Sequence, residues 1–369
     1  MNNIGVNSMK HAVKFWFIFV ILLVGNSCLF SQSETEPVLE KLKEQFKKEY
    51  FSVGVVFQFV ADGQIERSFP GRSGFNIANM RLNISGELDK QFGYFLQANF
   101  INAPAILDAK GYYRFSRGLT IDGGLFKAPF SKEFLTPADA IDFVNRSRAA
   151  AVLTPGRQIG VQARGWFSEE FPIKYGAGIF NGNGFGGNVN DNNSFMYAGR
   201  LAANPLKNDK NSGKQLEIGI NAAYSKDDFA RLSELLNPFV FDALFFTGKR
   251  TLFGADVRYT TNKLLLAGEY ILADFDGTIT FLGSNREAES IKPSGFHLTG
   301  GYMLQPNLQL LGRLDSFKTD KGLSSSEWII LGLNYWPSQA TELQFNYTID
   351  TDDSTFKHHQ LLINAQVAF

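Results

Sequence analysis

The sequence predicts an all-β fold: a transmembrane antiparallel β-barrel of about sixteen strands, with one long loop folded into its lumen. Three observations carry this. The chain begins like an exported protein, its side chains alternate with a period of two from Phe51 to Phe369, and its connections are by turns short and long. The mean hydropathy of −0.12 is too low for a bundle of membrane helices. It suits a barrel, whose polar inner face cancels its apolar outer face in any average.

Lys10, His11 and Lys14 precede an apolar run from Phe15 to Val24, and small and polar residues continue to Ser31. A basic segment followed by a short apolar one reads as a secretory signal peptide, assigned to residues 1–31. The apolar run is shorter than the roughly 20 residues a spanning helix needs. Cys28, the single cysteine of the chain, lies in this leader, and Gly25-Asn26-Ser27 before it is a poor lipid-attachment motif. Residues 32–50 are charged, with Val38, Leu42 and Phe46 four apart. They read as a short periplasmic amphipathic helix or stub.

The barrel is assigned to residues 51–369. Its predicted strands are 51–60, 76–88, 91–101, 105–115, 118–126, 157–167, 172–180, 195–204, 214–225, 250–260, 263–274, 293–304, 307–318, 326–336, 339–350 and 355–369. An even count is the rule for single-chain bacterial barrels. Even-numbered connections are short, as at Asp89-Lys90, Thr261-Asn262 and Pro337-Ser338, with 205–213 the exception. Odd-numbered ones are long, as at 61–75, 127–156, 181–194, 226–249 and 275–292, with Asn102 to Pro104 the exception. Short turns at one rim and long loops at the other are an outer-membrane pattern.

Successive strand residues point to opposite faces. In the last strand Leu361, Ile363, Ala365, Val367 and Phe369 oppose Gln360, Leu362, Asn364, Gln366 and Ala368. In 339–350, Leu343, Phe345, Tyr347 and Ile349 oppose Glu342, Gln344, Asn346 and Asp350. A soluble sandwich would bury the apolar face; a pore turns it to lipid and the polar face to water. Phe92, Tyr94, Trp336 and Phe369, near strand ends, suit interfacial aromatic girdles.

The connection 127–156 is too long for a plain hairpin loop. Thr136-Pro137-Ala138-Asp139 predicts a helix start, with Pro at the first helical position. Phe130, Phe134, Leu135, Ile141, Phe143, Val144 and Leu153 need a surface to pack on, and the inside wall could supply it. The loop therefore reads as a lumen constriction; an ordered cap over the mouth is the alternative.

This loop and the strand after it, VNRSRAAAVLTPGRQIGVQARGWF, resemble the signature region of the phosphate-selective porin O/P family, and the likeness continues upstream through GRSGFNIANMRLNISGELDKQFGYFLQANF. The resemblance implies a sixteen-stranded outer-membrane porin, commonly a homotrimer, that passes small inorganic anions without a cofactor. It also implies that Phe369 is the terminal aromatic read by the barrel-insertion machinery.

Anion preference needs inward positive charge at the narrowest point. Face assignment turns Arg81, Arg114, Arg164, Arg200, Arg258 and Arg313 inward, and the loop region adds Lys127, Lys132, Arg146, Arg148 and Arg157. Arg suits phosphate-like ions because its guanidinium offers forked donors. Glu133, Asp139 and Asp142 on the loop, and Asp108, Asp256 and Asp315 on the wall, are the available countercharges. Any one of these arginines could instead pair with them and hold the wall.

Lys plus Arg and Asp plus Glu both number 36. That balance gives no support for a nucleic-acid partner. His11, His297, His358 and His359 are the four histidines, and no serine pairs with the outward His359 as a lipase would need. No metal or phosphate-loop motif occurs. The reading is a non-enzymatic, cofactor-free channel; a non-conducting barrel serving as a surface scaffold or adhesin is the alternative.

Overall fold

The computed structural model describes residues 51–369 apart from 67–68, 70–71, 102–104, 168–171, 185–188, 207–212, 233–234, 236–242, 283–285, 321–323, 353–354 and 356. The segments read from the sequence as a signal peptide (1–31) and a periplasmic helix or stub (32–50) lie outside the described residues.

Seventeen strand segments form one antiparallel sheet. In chain order they are β1 Ser52–Ile65, β2 Gly74–Glu87, β3 Phe92–Asn99, β4 Ala105–Ser116, β5 Leu119–Lys127, β6 Arg157–Trp166, β7 Ile173–Phe180, β8 Met196–Ala203 and β9 Gln215–Arg231. There follow β10 Ala243–Thr260, β11 Leu264–Leu282, β12 Arg286–Ile291, β13 Ser294–Gln305, β14 Leu308–Lys318, β15 Ser325–Ser338, β16 Thr341–Asp350 and β17 His359–Ala368. The segments β12 and β13 lie in succession along the same edge of β11, broken at Pro293. The wall therefore has sixteen positions. It closes because β1 pairs with both β2 and β17.

The short turns are stabilised locally. Asp89 accepts from the Gln91 amide at 2.7 Å, and Thr261 Oγ1 accepts from Leu264 N at 2.8 Å. Both are side-chain mimics of a backbone turn.

The face assignment holds. On β17, Gln360, Asn364 and Gln366 are buried, whereas Val367 and, just past the strand, Phe369 are exposed. On β16, Glu342, Gln344 and Asn346 are buried while Tyr347 is exposed. Exposed apolar and buried polar residues are the inverse of a soluble core, as a lipid-facing wall requires.

The hairpins β9–β10 and β10–β11 run well beyond their predicted ends. Strands β9, β10 and β11 have 17, 18 and 19 residues. Along β11 the polarity of the two faces inverts. Leu266, Tyr270 and Leu272 are exposed on the outer face, which continues as Asp274 and Asp276. On the inner face buried Glu269 gives way to Ile271, Ala273, Phe275, Ile279 and Phe281. The outer face thus leaves the hydrocarbon between Leu272 and Asp274. Above that level the strands behave as a half-buried sheet in water.

The inverted stretch supplies the main hydrophobic core. Leu244, Phe246, Leu252, Ile271, Phe275, Ile279, Ile291 and Phe317 of the wall pack with Phe126, Phe130, Ala149, Ala150 and Leu153. Most of the latter come from the connection between β5 and β6. Phe180 joins this core, its ring lying over Gly178, where a Cβ would meet it at 2.7 Å.

Candidate functional site: the lumen and its constriction

The connection 128–156 folds into the lumen. Its neck is closed by the Ala128 amide, which donates to the Gly156 carbonyl at 3.1 Å. It contains helix α1 (Lys132–Leu135), a 3-10 turn (Ala138–Ala140) and helix α2 (Arg148–Leu153). Ser131, at φ 63°, caps α1 by accepting from Phe134 N at 3.0 Å. Ser147 caps α2 through Ala150 N at 3.3 Å. The predicted helix start at Thr136-Pro137 is corrected. Pro137 precedes only the 3-10 turn, and Ile141 is already extended. The longer helix is the Ala-rich Arg148–Leu153, a composition of high helix propensity.

The loop is tied to one part of the wall by charge. Glu133 accepts from Arg313 at 2.7 Å, from Ser147 N at 3.0 Å and from Ser147 Oγ at 2.5 Å. His297 Nε2 lies 3.6 Å away. The Arg313 side chain is only 1% exposed, so this contact is sequestered from water. Burial alone would raise the Glu133 carboxyl, but Arg313, His297 and the two Ser147 bonds outweigh it and hold it at about 2. Asp142 takes Arg258 in a forked pair at 2.7 and 2.8 Å. Lys132 pairs with Glu217 at 2.9 Å.

Amide side chains hold the loop backbone between these charges. Gln58 donates to Ala138 O at 3.2 Å, Gln366 to Asp139 O at 3.0 Å, Gln344 to Ile141 O at 3.1 Å and Asn334 to Asp142 O at 2.9 Å. Asn346 accepts from Val144 N at 2.7 Å. The amide-rich inner face of β15, β16, β17 and β1 is thus a docking strip for extended chain.

The opposite side of the loop faces β2 to β6, and there the charges are arranged differently. Lys127 Nζ donates to the carbonyls of Phe134 at 2.6 Å and Thr136 at 3.2 Å. Arg146 donates to the carbonyls of Glu133 at 3.1 Å and Thr136 at 2.6 Å. Carbonyls position these cations without neutralising them. Arg157 is bonded to Asp108 at 2.9 Å and to Gln97 at 3.2 Å. Arg81 reaches the same Gln97 at 3.4 Å. Arg81 lies within electrostatic range of Arg157, Arg146, Asp108 and Asp139, and Lys127 within range of Arg146, Arg157, Asp108 and Arg81. Four cations therefore share this part of the lumen with Asp108 and Asp139, while Glu133, already paired with Arg313, also reaches Arg146. Burial lowers Arg146 and Arg157 lowers it further, with Glu133 opposing. From its ordinary value near 12.5 the guanidinium still stays charged at neutral pH.

Chambers open on either side of the loop. The one toward the long connections, about 650 Å³, is lined by Arg81, Arg146, Arg148 and Gln360. The one toward the short turns, about 560 Å³, is lined by Lys127, Lys132, Arg164, Arg200 and Arg258. Of the remaining predicted cations, Arg164 is held by Asp122 at 2.6 Å. Arg200 is forked on Asp256 and reaches Glu217 at 3.0 Å. Arg114 pairs with Glu87 at 2.8 Å at the short-turn rim. Arg148 lays its guanidinium 5.6 Å from the Phe317 ring centroid, while its amide donates to Asp315 at 3.1 Å.

The structure brings Arg81 of the wall together with Lys127, Arg146 and Arg157, a grouping the sequence does not single out among its candidate cations, and adds carboxylate partners outside the expected countercharges. Asp122, Glu217 and Glu269, whose carboxylate accepts from Glu133 N at 3.0 Å, all sit on inward strand positions. A search for inward carboxylates level with inward arginines would have found them.

Solved structures of similar fold are outer-membrane proteins. An anion-selective porin from Comamonas acidovorans is 13% identical, with 86% of this chain and 99% of that one covered at TM-score 0.61. Pseudomonas putida OprB is 10% identical, with 90% and 97% covered at TM-score 0.64. OmpT of Vibrio cholerae, in its trimer form, is 9% identical, with 86% and 99% covered at TM-score 0.55. Among curated proteins none matches the sequence. The family model for phosphate-selective porin O and P matches residues 59–369. With its closed barrel, apolar exterior and polar, loop-narrowed lumen, the chain belongs to the phosphate-selective porin O and P family and is a porin of the bacterial outer membrane, a water-filled channel for passive diffusion.

Proposed function

We propose that the channel prefers small anions of phosphate-like chemistry, and that Arg81, Lys127, Arg146 and Arg157 select them. The observation that carries this is the imbalance on the β2–β6 side of the loop. Four cations face Asp108 and Asp139, and two of the four are bonded to carbonyls rather than carboxylates. Inward cations at a narrow point favour anions. Arg114, Arg164, Arg200, Arg258, Arg313, Lys132 and Arg148 shape the lumen and contribute to its field, each engaged by a wall or loop partner. The chain acts as a homotrimer within outer-membrane lipid, as in the trimer form of the OmpT structure, and enters the membrane by way of Phe369.

Planar-bilayer recordings of the purified protein in a KCl gradient test the reading. The expected reversal potential is that of an anion-preferring pore. R146A and R157A should each lower the preference, with R157A also leaving Asp108 unpaired. A silent protein would favour the scaffold alternative, and unchanged selectivity in both variants would make these arginines structural. Cross-linking followed by denaturing electrophoresis should show a three-chain species.

A further inference from the structure

Glu217 lies at the short-turn end of the lumen on β9, where cations from three separate elements meet it. Lys132 Nζ of α1 is 2.9 Å from its carboxylate, Arg200 Nη2 of β8 is 3.0 Å away, and Lys174 Nζ of β7 is 3.9 Å away. The site borders the 560 Å³ chamber. The other arginines there have carboxylates of their own: Arg164 has Asp122 and Arg258 has Asp142. Arg200 has a second one in Asp256. Among the described residues, Glu217 is the one carboxylate within ion-pair distance of Lys132 and Lys174.

A carboxylate and a small oxyanion offer such a cation cluster the same thing: one negative charge spread over oxygens that accept short, charge-assisted hydrogen bonds. The geometry points to Glu217 as an internal counter-anion: it occupies the place a permeant oxyanion would take and so sets how tightly the channel holds its anions. This deepens the anion-preferring reading and rests on it. A covalently tethered competitor is always present at high effective concentration. Conduction requires a site favourable enough to enter and weak enough to leave. Without Glu217 the Lys132, Lys174 and Arg200 cluster becomes an open anion site. With it, an arriving anion must displace a wall residue and is released when that residue returns.

The competing explanation is mechanical. Lys132 belongs to the constriction loop, so Glu217 could serve only to pin that loop. The two explanations differ in sign. The full chain is recorded in planar bilayers in a KCl gradient, and its chloride current is titrated with inorganic phosphate. As an internal counter-anion, Glu217 predicts that E217Q raises the anion-over-cation permeability ratio about fivefold, the scale of one partly exposed ion pair. Phosphate should then block chloride current at lower concentration than in the unmodified channel. K132M should move both quantities the other way, and E217Q/K132M should return toward the unmodified values. As a tether, Glu217 predicts that E217Q and K132M shift together, with larger, noisier conductance and no new phosphate block; that result overturns the assignment. E217S, which keeps a hydroxyl for Arg200, replaces E217Q if the latter does not fold. A cation-preferring unmodified channel sinks the anion reading and this assignment with it. An anion-preferring channel that E217Q leaves unmoved sinks this assignment alone.

Discussion

The two sides of the constriction loop use the same kinds of side chain for opposite ends. Toward β10–β17 and β1, cations are matched one for one: Arg313 with Glu133 and Arg258 with Asp142. Amides and a hydrophobic core fill the spaces between them. Toward β2–β6, Lys127 and Arg146 rest on backbone carbonyls, and Arg81 on a single amide. Pairing offsets part of the cost of burying the two charges, and a neutralised pair exerts little field on a passing ion. A cation fixed by carbonyls keeps its field. Anchoring and selection are therefore separated across one loop, and variants on the two sides should separate in the same way.

The largest effect is expected at Glu133. Glu133→Gln removes the charge facing Arg313 while keeping the shape. It leaves a guanidinium that is 1% exposed without its counterion. Breaking a buried pair from one side typically costs about 3–5 kcal/mol. The folded barrel should lose heat resistance on electrophoresis, and single-channel conductance should rise and become noisy as the loop leaves the wall. Retained thermal stability with a quiet channel would show that the core of Phe130, Ala150 and Leu153 holds the loop unaided.

Acid should reach the same contact without a mutation. The Glu133 carboxyl is depressed in the folded protein to about 2 from an ordinary value near 4.5. Its contribution is fully present above about pH 4.5 and is lost as pH falls through 2. That shift corresponds to a contribution on the order of 3 kcal/mol. Unfolding midpoints measured from pH 5 down to pH 2 should fall in the original chain and stay flatter in Glu133→Gln. Parallel curves would place the acid sensitivity elsewhere.

The barrel and its constriction are legible in the sequence; the contrast between the two sides of the loop is not. Strand positions and faces follow from a period of two, which needs only local sequence. The constriction follows from a loop both long and apolar. The partners do not follow, because they are set by register across the barrel: Asp142 meets Arg258 116 residues away, and Val144 meets Asn346 202 residues away. The extents of β9–β11 exceed the sequence expectation for a different reason. Beyond Leu272 the alternation persists with its sign reversed, apolar residues inside and Asp274 and Asp276 outside. A search tuned to lipid-facing alternation stops where the lipid does. Pro137 misled because a helix-compatible Pro also suits a single 3-10 turn.

On the selecting side, Arg81→Ala should leave stability nearly unchanged while reducing anion preference. Its bond to Gln97, at 3.4 Å, is long, and its neighbours Arg157 and Arg146 repel it. Relief of that repulsion offsets the lost bond, so a change within about 1 kcal/mol is expected in unfolding. Reversal potentials should move by an amount similar to that of Arg146→Ala. A stability loss comparable to that of Glu133→Gln would erase the distinction between the two sides.

The smallest effect is expected on the last strand. Gln366 donates to Asp139 O at 3.0 Å and to Glu342 at 3.1 Å, and also accepts from Gln58. Gln366→Leu keeps the volume and the strand register but leaves the Asp139 carbonyl without that donor. The net worth of such a bond is about 1 kcal/mol. Three parallel amide contacts from Gln58, Gln344 and Asn334 remain to hold the loop. The variant should therefore fold, conduct and select as before, with only a slight loss of heat resistance. If selectivity changed instead, the loop position at Asp139 would be coupled to the Arg81 cluster through the Asp139 charge, and the amide strip would belong to the selecting side as much as to the anchoring one.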